Sequence, residues 1–281
     1  MNAAVVPAKN EQGRISKVLT MLKETPVEKI IVVINGSTDN TMSEVKGLRL
    51  ENVEILHFTQ ELGVDVPRAI GAYYAYKSGA TCVVFVDGDL IGNIGILIKK
   101  LIHVVSKCGV DLAMTDCYPD LEYKSELAEQ VLIFRSLLNL KLGLYDKIGV
   151  ATPSHGPHAV SRKLMDSIDF RDFAVPPMVL AFAKKHGLSV EVPAKLPQRL
   201  LGSKIRNYFH AKKIADTIIG DTLEAINYYN DRPRARSYLF KEYQGYNPLR
   251  RFDILEKFLS NSLSKRAFPN ARKCPFITWY I

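Results

Sequence analysis

The chain has 281 residues, 47% of them apolar and 24% charged, so it can bury a full core and is not globally disordered. Its net charge of +9 comes entirely from residues 198–281, which hold 16 basic and 7 acidic residues. The four cysteines are scattered without metal-ligand spacing and are expected to be reduced thiols. With a start that enters a strand directly and no long apolar stretch, the sequence predicts a soluble cytoplasmic protein.

Apolar runs rich in Val, Ile and Phe alternate with amphipathic patterns over the first 116 residues. The predicted strands cover residues 5–6, 29–34, 53–59, 82–86 and 111–114. Between them, apolar residues recur at helical spacing, most clearly at Ile15, Val18, Leu19 and Leu22. This alternation predicts an α/β fold in which a mainly parallel sheet is flanked by helices.

In the second half of the chain, predicted helices and strands alternate less regularly. It contains a predicted helix at 124–142, a Gly/Pro/His-rich loop at 151–158, a helix at 177–185 and a strand at 189–192. We therefore predict one domain over 1–197, with halves at 1–116 and 117–197. Residues 198–281 form a predicted helical C-terminal extension, clearest at 212–229 and 253–263.

The extension is basic and holds 14 of the 26 aromatic residues. A neutral body with such an extension indicates an anionic partner. No short nucleic-acid motif occurs, so nucleic acid is not expected. An anionic membrane surface at the inner face and a phosphorylated small molecule fit equally well. A solvated helical face is the plainer alternative, and the aromatic residues would also suit a homodimer interface.

Polar clusters follow the first four predicted strands, at residues 7–11, 35–41, 62–65 and 86–89. Ligands of parallel sheets bind at the carboxyl ends of the strands. Because these ends share one edge, we expect the four clusters to converge on a single crevice, which Arg68 would also reach.

Asp87 and Asp89, separated by Gly88, are the most informative pair. Mg²⁺ and Mn²⁺ typically take one or two carboxylates together with phosphate oxygens and water. The pair therefore predicts a divalent-cation site, with a simple Asp-Gly turn as the alternative. Asn35 and its neighbours could likewise form only a turn and helix cap. Glu11 would either cap the first helix or accept a hydrogen bond from a ribose hydroxyl or base NH.

In combination, VVPAKNE (5–11), NGSTDNT (35–41) and FVDGDL (85–90) resemble nucleotide-sugar glycosyltransferases of the GT-A fold, family 2 and its relatives. The overall arrangement is similar to the glucosyl- and mannosyl-phosphoglycerate synthase branch. The resemblance covers the first 90 residues well and continues loosely to about Pro193. It implies a GT-A fold, Rossmann-like and with a mainly parallel sheet. It also implies transfer of a sugar, preferably from a UDP-sugar, to a small phosphorylated or lipid-linked acceptor with Mg²⁺ or Mn²⁺.

The resemblance also implies roles for individual residues. Those implied to bind the nucleotide-sugar donor are Pro7, Ala8, Glu11, Asn35, Ser37, Gly63, Arg68, Asp87 and Gly88. Asp89 would be a metal ligand and catalytic, and His210 a second metal ligand, with an ordinary helix-start histidine as the alternative. The basic residues around His210 would suit the leaving diphosphate, and they are Lys204, Arg206, Lys212 and Lys213.

Two positions depart from the family pattern. Ile34 and Asn35 stand where family members usually have paired aspartates. In the acceptor region, Val175 and two prolines precede the helix where inverting members place an acidic base. Asp172 is the nearest acid, so either it is the catalytic base or the reaction retains configuration and needs none.

The acceptor wall is predicted in the loop after Ser154, where His155, Gly156, His158 and Arg162 could receive a phosphate or carboxylate. A structural loop with surface histidines is the alternative.

Two further functions compete with glycosyl transfer. A sugar-phosphate nucleotidyltransferase would need a glycine-rich loop after the first strand, which this chain lacks. A catalytically degenerate module would bind an anionic membrane or polyanion through the extension.

Overall fold

The computed structural model describes residues 1–120, 125–203, 207–261 and 277–280, and strands alternate with helices along them. The strands are β1 (Asn2–Ala8), β2 (Lys29–Asn35), β3 (Val53–Phe58), β4 (Cys82–Phe85), β5 (Leu112–Asp116), β6 (His158–Ser161), β7 (Val190–Lys195), β8 (Ser237–Tyr238), β9 (Lys241–Glu242) and β10 (Ile277–Tyr280). The helices are α1 (Ile15–Lys23), α2 (Thr41–Gly47), α3 (Val66–Lys77), α4 (Gly95–Ser106), α5 (Glu126–Lys141), α6 (Tyr145–Ile148), α7 (Arg162–Ser167), α8 (Pro176–Lys185), α9 (Tyr208–Tyr229) and α10 (Phe252–Asn261). Three short 3-10 helices are Phe170–Ala174, Gln198–Leu200 and Asn247–Leu249. The predicted α/β class is confirmed.

Eight strands form one sheet in the order β10-β3-β2-β1-β4-β6-β5-β7. The pairs β1–β2, β2–β3, β1–β4 and β5–β7 are parallel, while β6 runs antiparallel between β4 and β5. Ala8 lies opposite Ile34, and Val5 opposite Phe85. The carboxyl ends of β1, β2 and β4 therefore meet at the same edge of the sheet.

Hydrophobic cores cover both faces of this sheet. Val5 and Val33 belong to one core, which includes residues of α3, α8 and α10. Val6 and Val32 face the other core with residues of α1 and α4. Strands buried on both faces read as continuous apolar runs, which is why they were readily predicted.

The C-terminal extension is more than the predicted helices. α9 and α10 are present, but β8 and β9 form a small hairpin, and β10 pairs antiparallel with β3. A strand added beside β3 satisfies backbone groups that an edge strand leaves unpaired. α9 begins at Tyr208 rather than near 212, because the Asn207 side chain caps it by accepting a hydrogen bond from the His210 N–H. None of the helices in the described ranges is both long and apolar enough to span a bilayer.

Candidate active site

A crevice of about 1250 Å³ opens at the carboxyl ends of the parallel strands. Several of its lining residues come from the ends of β1, β2 and β4, and others come from α9 and the 246–249 segment. The sequence-predicted residues that line it are Pro7, Ala8, Glu11, Asn35, Gly63, Arg68, Asp87, Gly88, Asp89 and His210. The predicted convergence of strand-end clusters therefore occurs in the structure.

The loops after β1 and β2 hold each other in place. Asn10, at a φ of 55°, donates its backbone N–H to the Ser37 hydroxyl at 3.1 Å. In return its side-chain oxygen accepts from the Thr38 N–H at 2.8 Å. The Glu11 N–H donates to the Thr41 hydroxyl at 2.8 Å, and Glu11 is buried. Ser37 does not itself line the crevice; its hydroxyl supports the loop that does.

Asn35 is engaged within the protein through both ends of its amide. Its Oδ1 accepts from the Leu62 N–H at 2.6 Å, and its Nδ2 donates to the Gly63 carbonyl at 3.2 Å. Gly63 has a φ of 84°, and a Cβ there would lie 2.4 Å from the Leu249 carbonyl oxygen. Asn35 thus fixes the 62–63 turn against the extension, and a glycine is required at the contact.

Arg68 and Asp87 form a bidentate ion pair in the crevice. Nη2 of Arg68 donates to both carboxylate oxygens of Asp87, at 2.6 and 2.8 Å, and Nη1 lies 3.3 Å from Asp65. Burial alone would lower the pKa of Arg68, but the charges of Asp87 and Asp65 raise it above its ordinary value. The guanidinium is therefore occupied inside the protein, and it orients Asp87.

Gly88 brings the fourth strand end close to the first. Its N–H donates to the Pro7 carbonyl at 3.1 Å, and a Cβ on Gly88 would lie 3.0 Å from that oxygen. Asp89 follows, partly exposed to the crevice. His210 lies in the first turn of α9, where its Nδ1 is 2.8 Å from the Tyr246 hydroxyl.

The donor set fits a divalent cation only if substrate completes the coordination. Within the described ranges, no three His, Cys, Asp or Glu side chains are grouped closely enough to hold a metal ion. Mg²⁺ commonly relies on one or two carboxylates plus substrate phosphates and water. The Asp87–Gly88–Asp89 turn, open to a crevice of this size, has the chemistry of such a site.

The predicted acceptor loop is packed into the protein. Ser154 lines the crevice, whereas His155 does not line it, and its ring lies 5.5 Å from the Tyr118 ring. His158 stacks on Phe85 at 4.7 Å and is 3% exposed. Burial lowers the pKa of both histidines to about 3. The loop is therefore structural, as the alternative held, but His158 is buried rather than at the surface, and neither histidine lines the crevice.

Gly156 belongs to this packed loop as well. It has a φ of 74°, and a Cβ there would lie 2.5 Å from the Cys117 sulfur. It does not line the crevice, although Cys117 does. Its place is to let the loop approach β5 closely.

Arg162 and Asp172 are not brought to the crevice. Arg162 follows Ser161, which pairs with Cys82 at the amino end of β4, the far edge of the sheet. Asp172 is 4% exposed and accepts a 2.6 Å hydrogen bond from Arg234. Burial raises the pKa of Asp172, although the charge of Arg234 opposes this. Lys204 and Arg206 lie outside the described residues.

Asp65, from the predicted 62–65 cluster, also lines the crevice, and sequence reasoning missed four further residues at or beside it, namely Tyr118, Arg135, Asp221 and Tyr246. Of these, Arg135 left a readable signal. It lies at helical spacing from Val131 and Leu138, both buried, so a cation occupies the apolar face of α5.

Comparison with known proteins places the chain in a family. Residues 3–168 match the model of glycosyl transferase family 2, which is more than half of the chain. The chain belongs to glycosyl transferase family 2 and is a glycosyltransferase. None of the curated proteins matches its sequence significantly.

Solved structures agree on the fold. Glucosyl-3-phosphoglycerate synthase from Mycobacterium tuberculosis, in complex with uridine diphosphate, is similar at a TM-score of 0.62 and 19% identity, over 85% of this chain and 83% of that one. The same enzyme with Mn²⁺, UDP-glucose and phosphoglyceric acid gives a TM-score of 0.59 and 18% identity, over 85% and 82%. The expected GT-A fold is confirmed.

Proposed function

We propose that this chain transfers a hexose from a UDP-sugar to a small anionic acceptor, using Mg²⁺ or Mn²⁺. The observation that carries the proposal is the convergence of the 7–11, 62–65 and 86–89 clusters on one crevice of about 1250 Å³. Pockets for small ligands typically measure about 300–1,000 Å³, so this one has room for a donor and an acceptor together. The similar synthase has been solved with UDP-glucose, Mn²⁺ and phosphoglyceric acid, which supports this choice of donor, metal and acceptor class.

Different parts of the crevice would bind different parts of the donor. The 7–11 loop and the 62–63 turn, held by Asn35, would border the nucleoside. Asp89 and His210 would hold the cation together with the donor diphosphate, and Arg68 keeps Asp87 oriented beside them. When bound, the cation neutralises charge that grows on the leaving diphosphate. The enclosing crevice orders donor and acceptor for reaction.

The placement of Asp172 supports a retaining route. It is ion-paired to Arg234 and does not line the crevice, so it is poorly placed to serve as the base. In the retaining route the acceptor oxygen bonds to the anomeric carbon from the side of the leaving group. The anomeric carbon–oxygen bond to the diphosphate breaks, and the acceptor proton passes to a diphosphate oxygen.

Turnover tests the proposal directly. Purified protein is incubated with UDP-glucose, Mn²⁺ and 3-phosphoglyceric acid, and UDP release and the glycosylated product are measured by mass spectrometry and NMR. We expect turnover with retained anomeric configuration. Asp89→Asn should lower it about 100-fold or more, since each lost 1.36 kcal/mol of transition-state stabilisation costs tenfold.

Asp253→Asn is the matched control, because Asp253 is exposed on α10 and pairs only with Arg251 among the described residues. It should keep wild-type turnover. The proposal fails if no sugar is transferred from UDP-glucose or UDP-galactose, and also if GDP-mannose alone serves as the donor. It also fails if Asp89→Asn is as active as the wild type.

A further inference from the structure

Arg135 is a buried cation without a counter-ion in the described structure. It lies in the middle of α5 and is 2% exposed. The other buried arginines, Arg68, Arg236 and Arg250, form ion pairs of 2.6, 2.6 and 2.7 Å with carboxylates. No described carboxylate lies within ion-pair distance of Arg135, and its Nε has no hydrogen-bond partner; the neutral side chain of Tyr118 is hydrogen-bonded to the guanidinium but supplies no negative charge. Charged side chains are almost never fully buried unless they are paired.

Further polar atoms without partners lie in the loop next to Tyr118, which contacts this guanidinium. Its Cζ lies 5.7 Å from the centre of the Tyr118 ring, and that ring lies 5.5 Å from the ring of His155. Within the described part of the chain, the His155 Nε2 and the hydroxyls of Thr152 and Ser154 are buried without partners. Buried polar groups normally find a partner, so a cluster of polar atoms without partners points to a bound ligand.

Hydrogen bonds from α5 hold the loop of this cluster in a fixed position. Asn139, one turn after Arg135, donates to the carbonyls of Gly149 and Ala151 at 2.7 and 3.1 Å. These bonds fasten the loop that carries Thr152 and His155 onto α5. Burial and the charge of Arg135 keep the His155 imidazole neutral, because they lower its pKa to about 3. A neutral imidazole retains one N–H donor.

The cluster adjoins the crevice. Tyr118 and Ser154 line it, and His155 lies close enough to Asp87 and Arg68 to feel their charges. An anion at Arg135 would therefore lie beside the site assigned to the donor. A guanidinium binds a carboxylate or phosphate through two parallel hydrogen bonds.

We propose that Arg135, with His155 and Ser154, forms a subsite that binds the carboxylate or phosphate of the acceptor. The subsite rests on the proposed function for its acceptor role, and its affinity for anions can be tested independently. It replaces Arg162, at the far edge of the sheet, as the cation that recognises the acceptor.

Calorimetric titration with inorganic phosphate, and separately with acetate, tests the subsite. It is carried out on the full chain, without nucleotide and again with saturating UDP and Mg²⁺ so that the donor site is filled. We expect the wild type to bind at least one of the two anions in both conditions. Arg135→Met should weaken that binding roughly tenfold or more, with UDP affinity unchanged. Phosphate against acetate tells which anion the subsite prefers.

Arg232→Met is the matched control, since Arg232 is exposed, and it should bind anions like the wild type. Thermal melting without ligand tells whether Arg135 stabilises the fold or serves to bind an anion. An unpaired buried cation is costly, so Arg135→Met should melt at or above the wild-type temperature. Should that variant fail to fold, Arg135→Lys keeps the charge but loses the guanidinium fork, and it should weaken anion binding several-fold.

The subsite is overturned if the wild type binds neither anion. It is equally overturned if both Arg135 variants bind anions as the wild type does. A wild type that binds the anion through Arg135 but binds no UDP would leave the subsite standing and contradict the proposed function instead.

Discussion

His158 shows how a single residue can be chemically reactive by type and structural by position. Its ring stacks on Phe85 within the sheet, and its Nδ1 lies 3.5 Å from the Gly156 carbonyl. Burial and the nearby charge of Arg68 lower the pKa of His158 to about 3. The imidazole is therefore neutral in the folded protein at any ordinary pH, and it cannot supply a cation to an acceptor.

This low pKa makes stability depend on pH. Below about pH 6.5 the unfolded chain binds a proton at His158, while the folded protein does so only near pH 3. The unfolded state thus holds more protons in this window, so the free energy of unfolding falls as pH is lowered through it. His158→Phe should reduce that dependence by about 1.4 kcal/mol per pH unit, measured by urea unfolding at pH 7, 6 and 5.

His103→Phe, at an exposed position of α4, serves as the control. It should leave the dependence of the unfolding free energy on pH unchanged. If His158→Phe keeps the wild-type slope, the imidazole is not held neutral by its surroundings.

At the scale of elements, the extension and the crevice share one buried ionic cluster. Arg250 follows the 3-10 helix Asn247–Leu249 and donates to both carboxylate oxygens of Asp221 on α9, at 2.7 Å each. It also donates to Asp65, just before α3, at 3.2 Å, and to the Val64 carbonyl at 3.1 Å. Asp65 in turn pairs with Arg68. The chain of charges runs from the extension to Asp87.

Removing Arg250 should therefore damage both stability and the donor site. Burial raises the pKa of Asp65 even though the charges of Arg68 and Arg250 oppose the rise. Without Arg250, the buried carboxylates of Asp65 and Asp221 would lose a positive charge that stabilises them. Breaking a buried pair from one side costs about 3–5 kcal/mol. We expect Arg250→Met to lose stability of that order in urea unfolding and to bind UDP more weakly by calorimetry.

The neighbouring Arg251 provides a matched control. Its side chain is 40% exposed and pairs with the exposed Asp253, and solvent-accessible ion pairs contribute little. Arg251→Met should keep wild-type stability and UDP affinity. Equal behaviour of the two variants would mean that the buried cluster does not support the crevice.

At the scale of the whole molecule, the sequence predicted what depends on local pattern. Strands such as Lys29–Asn35 are continuous apolar runs buried on both faces, and the strand-end clusters follow them directly. Parallel pairing then brings those clusters to one edge, so most predicted donor residues line the crevice.

The pattern could not predict partners that are distant along the chain. The pairing of Arg68 with Asp87, or of Arg250 with Asp221, depends on how helices pack and leaves no trace in spacing. The same holds for β10, which joins β3 from the far end of the chain. The sequence predicts Arg162 at the acceptor site. Because β6 runs antiparallel to β4, Arg162 instead lies at the edge of the sheet opposite the crevice.

The predictions of a cytoplasmic location and of a membrane or homodimer contact through the extension stay predictions. In the described part of the extension, Arg236 and Arg250 are buried in ion pairs. Fewer of its basic residues thus remain for an anionic surface than the charge count indicates. Large apolar side chains are nonetheless exposed there, including Phe209 at 79% and Leu239 at 79%.

The most direct test of the central claim is calorimetric titration with UDP, GDP and ADP, with and without Mn²⁺, on the wild type and on Asp89→Ala. The crevice predicts that one nucleotide, UDP, binds in a Mn²⁺-dependent manner and that Asp89→Ala loses this dependence. Absence of binding by all three nucleotides to the wild type, with or without the metal, would contradict the assignment of the crevice as a nucleotide-sugar site.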